Sequence, residues 1–230
     1  MPSDPYAALG SARTRRIPVL AGNTFEEGKL FGSAIGAHRP SDRERFTLQY
    51  RFDPDRPGRL RVRDLVADPF LPLDAPGGWE EASEALTASV FHGIVERSMD
   101  TLVDAGNRNA YYYEFGWNEQ PRPFDRVYGA VHALDLPFVF GNFRRNVFSY
   151  AFSRANRTGR LELSRLMMRS VRAFVHTGDP RHRGLDDRWD LWPRSMVFDA
   201  GRHRAWTCAG RFGGTYGAAA SSDRRVACSP

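Results

Sequence analysis

Among the side chains of this 230-residue sequence whose chemistry would let them pass a proton are Glu26, Glu27 and His132. The two glutamates lie side by side in a turn that closes the apolar run Ile17-Pro-Val-Leu-Ala-Gly22. His132 ends the stretch Tyr128-Gly-Ala-Val-His132 far downstream. A carboxylate that holds one ring nitrogen of an imidazole fixes its tautomer and stabilises the imidazolium, leaving the other nitrogen to take a proton from a hydroxyl. The same residues have plainer readings. A lone histidine among apolar neighbours also suits a packed, hydrogen-bonded core position, and adjacent turn carboxylates can simply be solvated, with Glu27, next to Gly28, the better placed of the two. Asp135, three residues after His132, either orients that loop or caps a following helix. His38, His92, His176, His182 and His203 lack the mutual spacing of a zinc site and read as surface or helix-face residues. Tyr111, Tyr112 and Tyr113 either line a pocket or pack against a sheet.

The elements that must position these groups follow from periodicity. Residues 17–22 predict a buried strand that ends in a turn at Asn23. Over residues 79–103, Leu86, Val90, Ile94 and Leu102 keep helical spacing, Phe91, Val95 and Met99 widen the stripe, and Gly106-Asn107 stops it. Residues 110–115, Ala-Tyr-Tyr-Tyr-Glu-Phe, are aromatic and too short for a helix, so the long helix delivers a second strand, an αβ unit of the kind that builds parallel sheets. Pro121 and Pro123 make 116–126 a loop, followed by an apolar segment over 134–140. A helix is predicted over 161–177, with Leu163, Met167, Val171 and Phe174 on one face and Gly178-Asp179-Pro180 as its stop. Residues 38–73 read as an irregular surface excursion with a short helix over 43–50. From Gly201 onward large aliphatics are scarce, which predicts a poorly ordered tail over 200–230.

Composition excludes several classes of protein. There are 33 Lys+Arg against 27 Asp+Glu, a formal net charge of +6, but Lys29 is the sole lysine and the arginines are dispersed rather than gathered in the stripe a nucleic acid would require. Two cysteines, Cys208 and Cys228, allow neither a disulfide-dense scaffold nor a cysteine-based zinc module. No apolar run approaches the roughly 18 residues of a membrane-spanning helix, and residues 1–20 lack the apolar centre of a secretory signal. Neither a nucleic acid nor a membrane is expected as a partner.

Two segments carry a resemblance. Ala21-Gly-Asn-Thr-Phe-Glu-Glu-Gly-Lys-Leu-Phe31 resembles the acid turn of the type-B carboxylesterase and cholinesterase family, and Gly129-Ala-Val-His-Ala-Leu-Asp-Leu-Pro-Phe-Val-Phe-Gly141 resembles its histidine segment. The stretch from Leu163 to Pro180, then Trp192-Pro193 and Met196-Val197-Phe198-Asp199, are similar to the family's closing helix and strand in the same order. The resemblance extends over about residues 2 to 199, closest to bacterial esterases of aryl and alkyl carboxylic esters, and makes 1–199 one domain. It implies an α/β class, a partial α/β-hydrolase fold holding the C-terminal strands of the central sheet with flanking helices. It further implies Glu27 as the triad acid, His132 as the general base, a small-molecule carboxylic ester as substrate, and no metal or organic cofactor.

The family's nucleophile stands in a G-x-S-x-G elbow, and the sequence holds no such pentapeptide. Gly32-Ser-Ala-Ile-Gly36 has the wrong spacing, and Gly213-Gly-Thr-Tyr-Gly217 would need Thr215 in place of serine, after the histidine and without a preceding strand. The glycine-rich oxyanion turn is also missing. The chain therefore reads as the C-terminal portion of an esterase, expected to be inactive by itself, with the nucleophile-bearing half as its partner. A non-catalytic interaction protein that kept a truncated hydrolase scaffold is the alternative reading.

Overall fold

The computed structural model describes residues 3–56 and 58–212. In chain order its elements are α1 (Pro5–Leu9), β1 (Val19–Thr24), α2 (Asp42–Arg51), α3 (Trp79–Leu86), α4 (Gly93–Asp104), β2 (Ala110–Phe115), α5 (Phe124–Val127), α6 (Leu136–Val139), α7 (Arg157–Thr177), β3 (Arg194–Ala200) and β4 (Ala205–Arg211). The sheet runs β1-β2-β3-β4. β1 pairs parallel to β2 from Val19↔Ala110 to Thr24↔Phe115, β2 pairs parallel to β3, and β4 returns antiparallel to β3. Both predicted strands and the parallel αβ unit are therefore present. Among the described residues β1 lies at an edge of the sheet.

The tyrosine run shows how one strand serves two faces. Successive strand side chains point to opposite sides. Tyr111 and Phe115 join Phe138, Leu163, Met167 and Phe198 on one face, while Ala110 and Tyr112 join Met99, Leu102, Trp192 and Phe212 on the other. Tyr112 meets Trp192 and Phe212 edge-on at 5.3 and 5.1 Å between centroids, the arrangement aromatic quadrupoles favour. The helix over α7 begins four residues earlier than its periodicity suggests and stops where predicted, with Gly178 left-handed at φ +75°.

Three expectations are corrected. The predicted long helix is interrupted by a π-helical turn at Thr87–His92 between α3 and α4. The wider turn rotates the buried face, so Val90 and Ile94 are 41% and 53% exposed, while Trp79, Ser83, Thr87, His92, Met99 and Leu102 are buried. The excursion over 38–73 contains its helix as α2, but it is not all surface: Leu65 and Val66 are each 1% exposed and belong to the main core. Residues 205–211 are strand β4 rather than loose tail, because the backbone ladder to β3 needs no large aliphatics and Ala205 and Thr207 suffice to fill the inward positions. The Gly213–Gly217 pentapeptide and Cys228 lie outside the described residues. Among the described residues no helix is long and apolar enough to cross a membrane.

Candidate acid–base site

β1 ends at Thr24 and the chain folds at once into a 3-10 turn, Glu27–Leu30, against the end of α3. Gly28 makes that seat possible. Its N–H donates to Thr87 Oγ1 at 2.9 Å, and a Cβ there would stand 2.4 Å from the Ser83 carbonyl oxygen, so only glycine lets turn and helix approach. The turn carries Glu26 and Glu27 toward the loop between α5 and α6, where His132 lies.

The two glutamates divide the work. Glu27 Oε2 lies 2.6 Å from His132 Nδ1. Its other oxygen accepts from the Thr24 N–H at 2.8 Å and the Asn23 amide at 3.0 Å. A carboxylate can only accept, so the contact puts the proton on Nδ1 and leaves Nε2 as the basic nitrogen. Glu26 instead binds backbone: its N–H donates to the Ala130 carbonyl at 2.9 Å and its Oε2 accepts from the Ala130 N–H at 2.5 Å. This reciprocal pair ties the acid turn to the histidine loop. Lys29 Nζ sits 3.1 Å from Glu26 and 3.0 Å from Glu80, its side chain 5% exposed.

Gly129 permits the tie. Its φ is +57°, and a Cβ there would come within 2.2 Å of Glu26 Oε2. Gly36, at φ +85° with nothing within 4 Å of its Cβ position, isolates the backbone cost alone. Gly36→Ala is therefore expected to lose about 1 kcal/mol and Gly129→Ala about 2 kcal/mol or more. Urea midpoints at unchanged slope measure the difference, and equal losses would mean that the Glu26 clasp contributes nothing.

Charge and burial set the site's protonation. Burial pushes the Glu27 carboxyl up, but hydrogen bonds from His132, Asn23 and Thr24 together outweigh it and hold the group below its ordinary value. The Glu27 hydrogen bond raises His132 above its ordinary 6.5, with partial burial opposing. Phe31 and Phe91 flank the imidazole at 5.3 and 5.1 Å between centroids and stack on each other at 5.6 Å. The histidine side chain stays 43% exposed, against 5% for Glu27.

Asp135 occupies the first position before α6, but its side chain makes no capping bond, which corrects the capping reading. Its backbone is helical rather than extended there, and its carboxylate accepts the Tyr113 hydroxyl at 2.7 Å, linking the histidine loop to β2. Burial, and then the nearby Glu27 charge, raise the Asp135 carboxyl despite the Tyr113 bond.

Beyond the residues singled out by the sequence, Asn23 joins the site, and Tyr112 joins it through a hydrogen bond. The Tyr112 hydroxyl donates to Asn23 Oδ1 at 3.0 Å, so a chain of hydrogen bonds runs from buried Tyr112 through Asn23 and Glu27 to the partly exposed His132. No local pattern signals the pair, which follows from strand register: Ala21 pairs with Tyr112, and that makes Asn23 its diagonal neighbour on the same face. Of the other histidines, His92 is buried, its Nε2 3.3 Å from the Thr24 carbonyl. Among the described residues no three His, Cys, Asp or Glu side chains are grouped to hold a metal ion.

Parallel strands joined by a helix, a carboxylate at one strand's end and a histidine on a later loop define a partial α/β-hydrolase fold. The chain belongs to the carboxylesterase family, whose model matches residues 1–198. It is 26% identical over 196 residues to the para-nitrobenzyl esterase of Bacillus subtilis (strain 168), an alignment covering 84% of this chain and 35% of that one. A solved PNB esterase superposes with a TM-score of 0.57 at 22% identity, covering all of this chain and 41% of its own. A Geobacillus stearothermophilus carboxylesterase superposes with a TM-score of 0.55 at 24% identity, covering 90% and 40%. The chain thus spans about a third of the length of the Bacillus subtilis esterase, and at these identities the solved structures speak to fold alone.

Proposed function

We propose that this chain supplies the acid and the base of a serine-type carboxylic ester hydrolase, Glu27 and His132, to a nucleophile carried on polypeptide outside these 230 residues. The observation that carries the reading is the 2.6 Å contact between Glu27 Oε2 and His132 Nδ1, combined with an imidazole that remains accessible. In the reaction His132 Nε2 takes the serine proton as the hydroxyl attacks the ester carbonyl, then returns it to the departing alkoxide. Glu27 stays ionised throughout and stabilises the imidazolium. The oxyanion of the tetrahedral intermediate needs preorganised N–H donors, which the nucleophile-bearing polypeptide brings. The β1 edge offers such a polypeptide a strand to pair with.

The test is complementation. Co-expression with a polypeptide carrying the G-x-S-x-G elbow and oxyanion turn of a related esterase should give soluble hydrolysis of a p-nitrophenyl ester, where this chain by itself gives none. Failure of the two to associate, or equal turnover by this chain alone, contradicts the proposal.

A further inference from the structure

α2 packs Leu48 against the main core but turns two polar side chains inward beside it. An amphipathic helix normally buries its apolar stripe, yet α2 buries Arg45 and Gln49, at 2% and 1% exposure, and leaves Tyr50 52% exposed with Phe46 half-buried beside it. Phe46 and Tyr50 stand four residues apart and share a face, flanked by the stripe Arg43, Thr47 and Arg51 at the same interval. Arg145, from the loop after α6, lays its guanidinium over the Tyr50 ring at 4.5 Å. Together these six side chains line a shallow groove of about 810 Å³.

The lining has one sign. Among the described residues none of the three guanidiniums is ion-paired to a carboxylate, whereas Arg45 on the inner face has Asp42. Two aromatic walls with three unneutralised planar forks match a ligand that has an apolar body and a carboxylate head: the rings take the body, and guanidinium pairs with carboxylate in a bidentate geometry. Inorganic phosphate would leave the rings without a partner, and a neutral alcohol would leave the arginines without one.

We infer that the groove between α2 and the Arg145 loop is a binding site for small organic carboxylates carrying an aromatic or alkyl body. The site is separate from Glu27 and His132 and does not depend on the role proposed for them.

Isothermal titration of the full chain with 3-phenylpropionate, 3-phenylpropanol and inorganic phosphate tests it, each repeated on Arg43→Glu/Arg145→Glu and on Arg172→Glu, an exposed α7 control. Saturable binding of 3-phenylpropionate is expected, at least roughly tenfold weaker in the double variant and unchanged in the control, with the alcohol and phosphate both weaker by a similar factor. Equal affinity for the alcohol would make the groove merely apolar. Equal affinity for phosphate would make it merely basic. Either result overturns the proposal, as would affinity retained in the double variant, loss of affinity in the control, or sedimentation with anionic lipid vesicles in the absence of 3-phenylpropionate binding.

Discussion

In the complemented enzyme, His132→Ala should lower kcat for a p-nitrophenyl ester about 10⁴-fold or more, and Glu27→Gln should come close to it, while Glu26→Gln costs far less. The reasoning is geometric. Removing the imidazole removes the group proposed to accept the serine proton. Replacing Glu27 by glutamine keeps the shape but offers Nδ1 either an amide that can favour the wrong tautomer or a neutral acceptor that no longer stabilises the imidazolium. Glu26 holds backbone and Lys29, not the ring, so its loss loosens the loop without removing the base. The pH profile follows from direction. A base must be neutral to act, and the Glu27 contact raises His132 above 6.5, so the acid limb of kcat/KM should lie above pH 6.5. Comparable losses for Glu26→Gln and Glu27→Gln would refute the division between the two glutamates.

The second large effect is on stability. Lys29→Met should cost about 3 kcal/mol, because it leaves two carboxylates facing each other with their shared cation gone. Burial alone would lower the Lys29 ammonium, but the charges of Glu26 and Glu80 outweigh it and raise the group, so the cation persists through neutral pH. Glu80 is a third exposed and will recover part of its hydration, which keeps the loss at the lower end of the range for broken buried pairs. In a double-mutant cycle with Glu26→Gln in urea, the double variant should lose less than the sum of the two single losses. Strict additivity would mean that the pair is not coupled. Because Lys29 is the sole lysine, native-state amine labelling should leave the side chain unmodified until the chain unfolds.

Much of the frame was legible in the sequence where periodicity is local. β2 matches residues 110–115, α7 ends at Thr177 with Gly178 as its cap, as the stop signal dictates, and the β1–β2 pair that the intervening helix joins is parallel. What local pattern could not supply was a change of helical pitch. The stripe through Val90 and Ile94 is continuous only at 3.6 residues per turn, and the π turn at Thr87–His92 carries it out to solvent. β4 escaped because its stability comes from pairing with β3, a tertiary term that composition does not carry. At the site, Glu27 and His132 were visible as types in suitable turns. Asn23 and Tyr112 were not, because their bond depends on the register of two strands that are distant in sequence. Asp135 was visible as a residue but not as a partner of Tyr113, since its helical backbone turns the carboxylate away from the capping position.

The most direct measurement is the NMR titration of the His132 ring in the full chain, with Glu26→Gln and Glu27→Gln beside it. A histidine raised on folding adds stability that is full below pH 6.5 and is lost as pH climbs through its folded value, while the lowered Glu27 adds stability present above pH 4.5 and lost as pH falls through its own. The expected result is a His132 midpoint above 6.5 that drops in Glu27→Gln and stays raised in Glu26→Gln. A midpoint at or below 6.5 that ignores Glu27→Gln, or one that moves with Glu26→Gln instead, would contradict it.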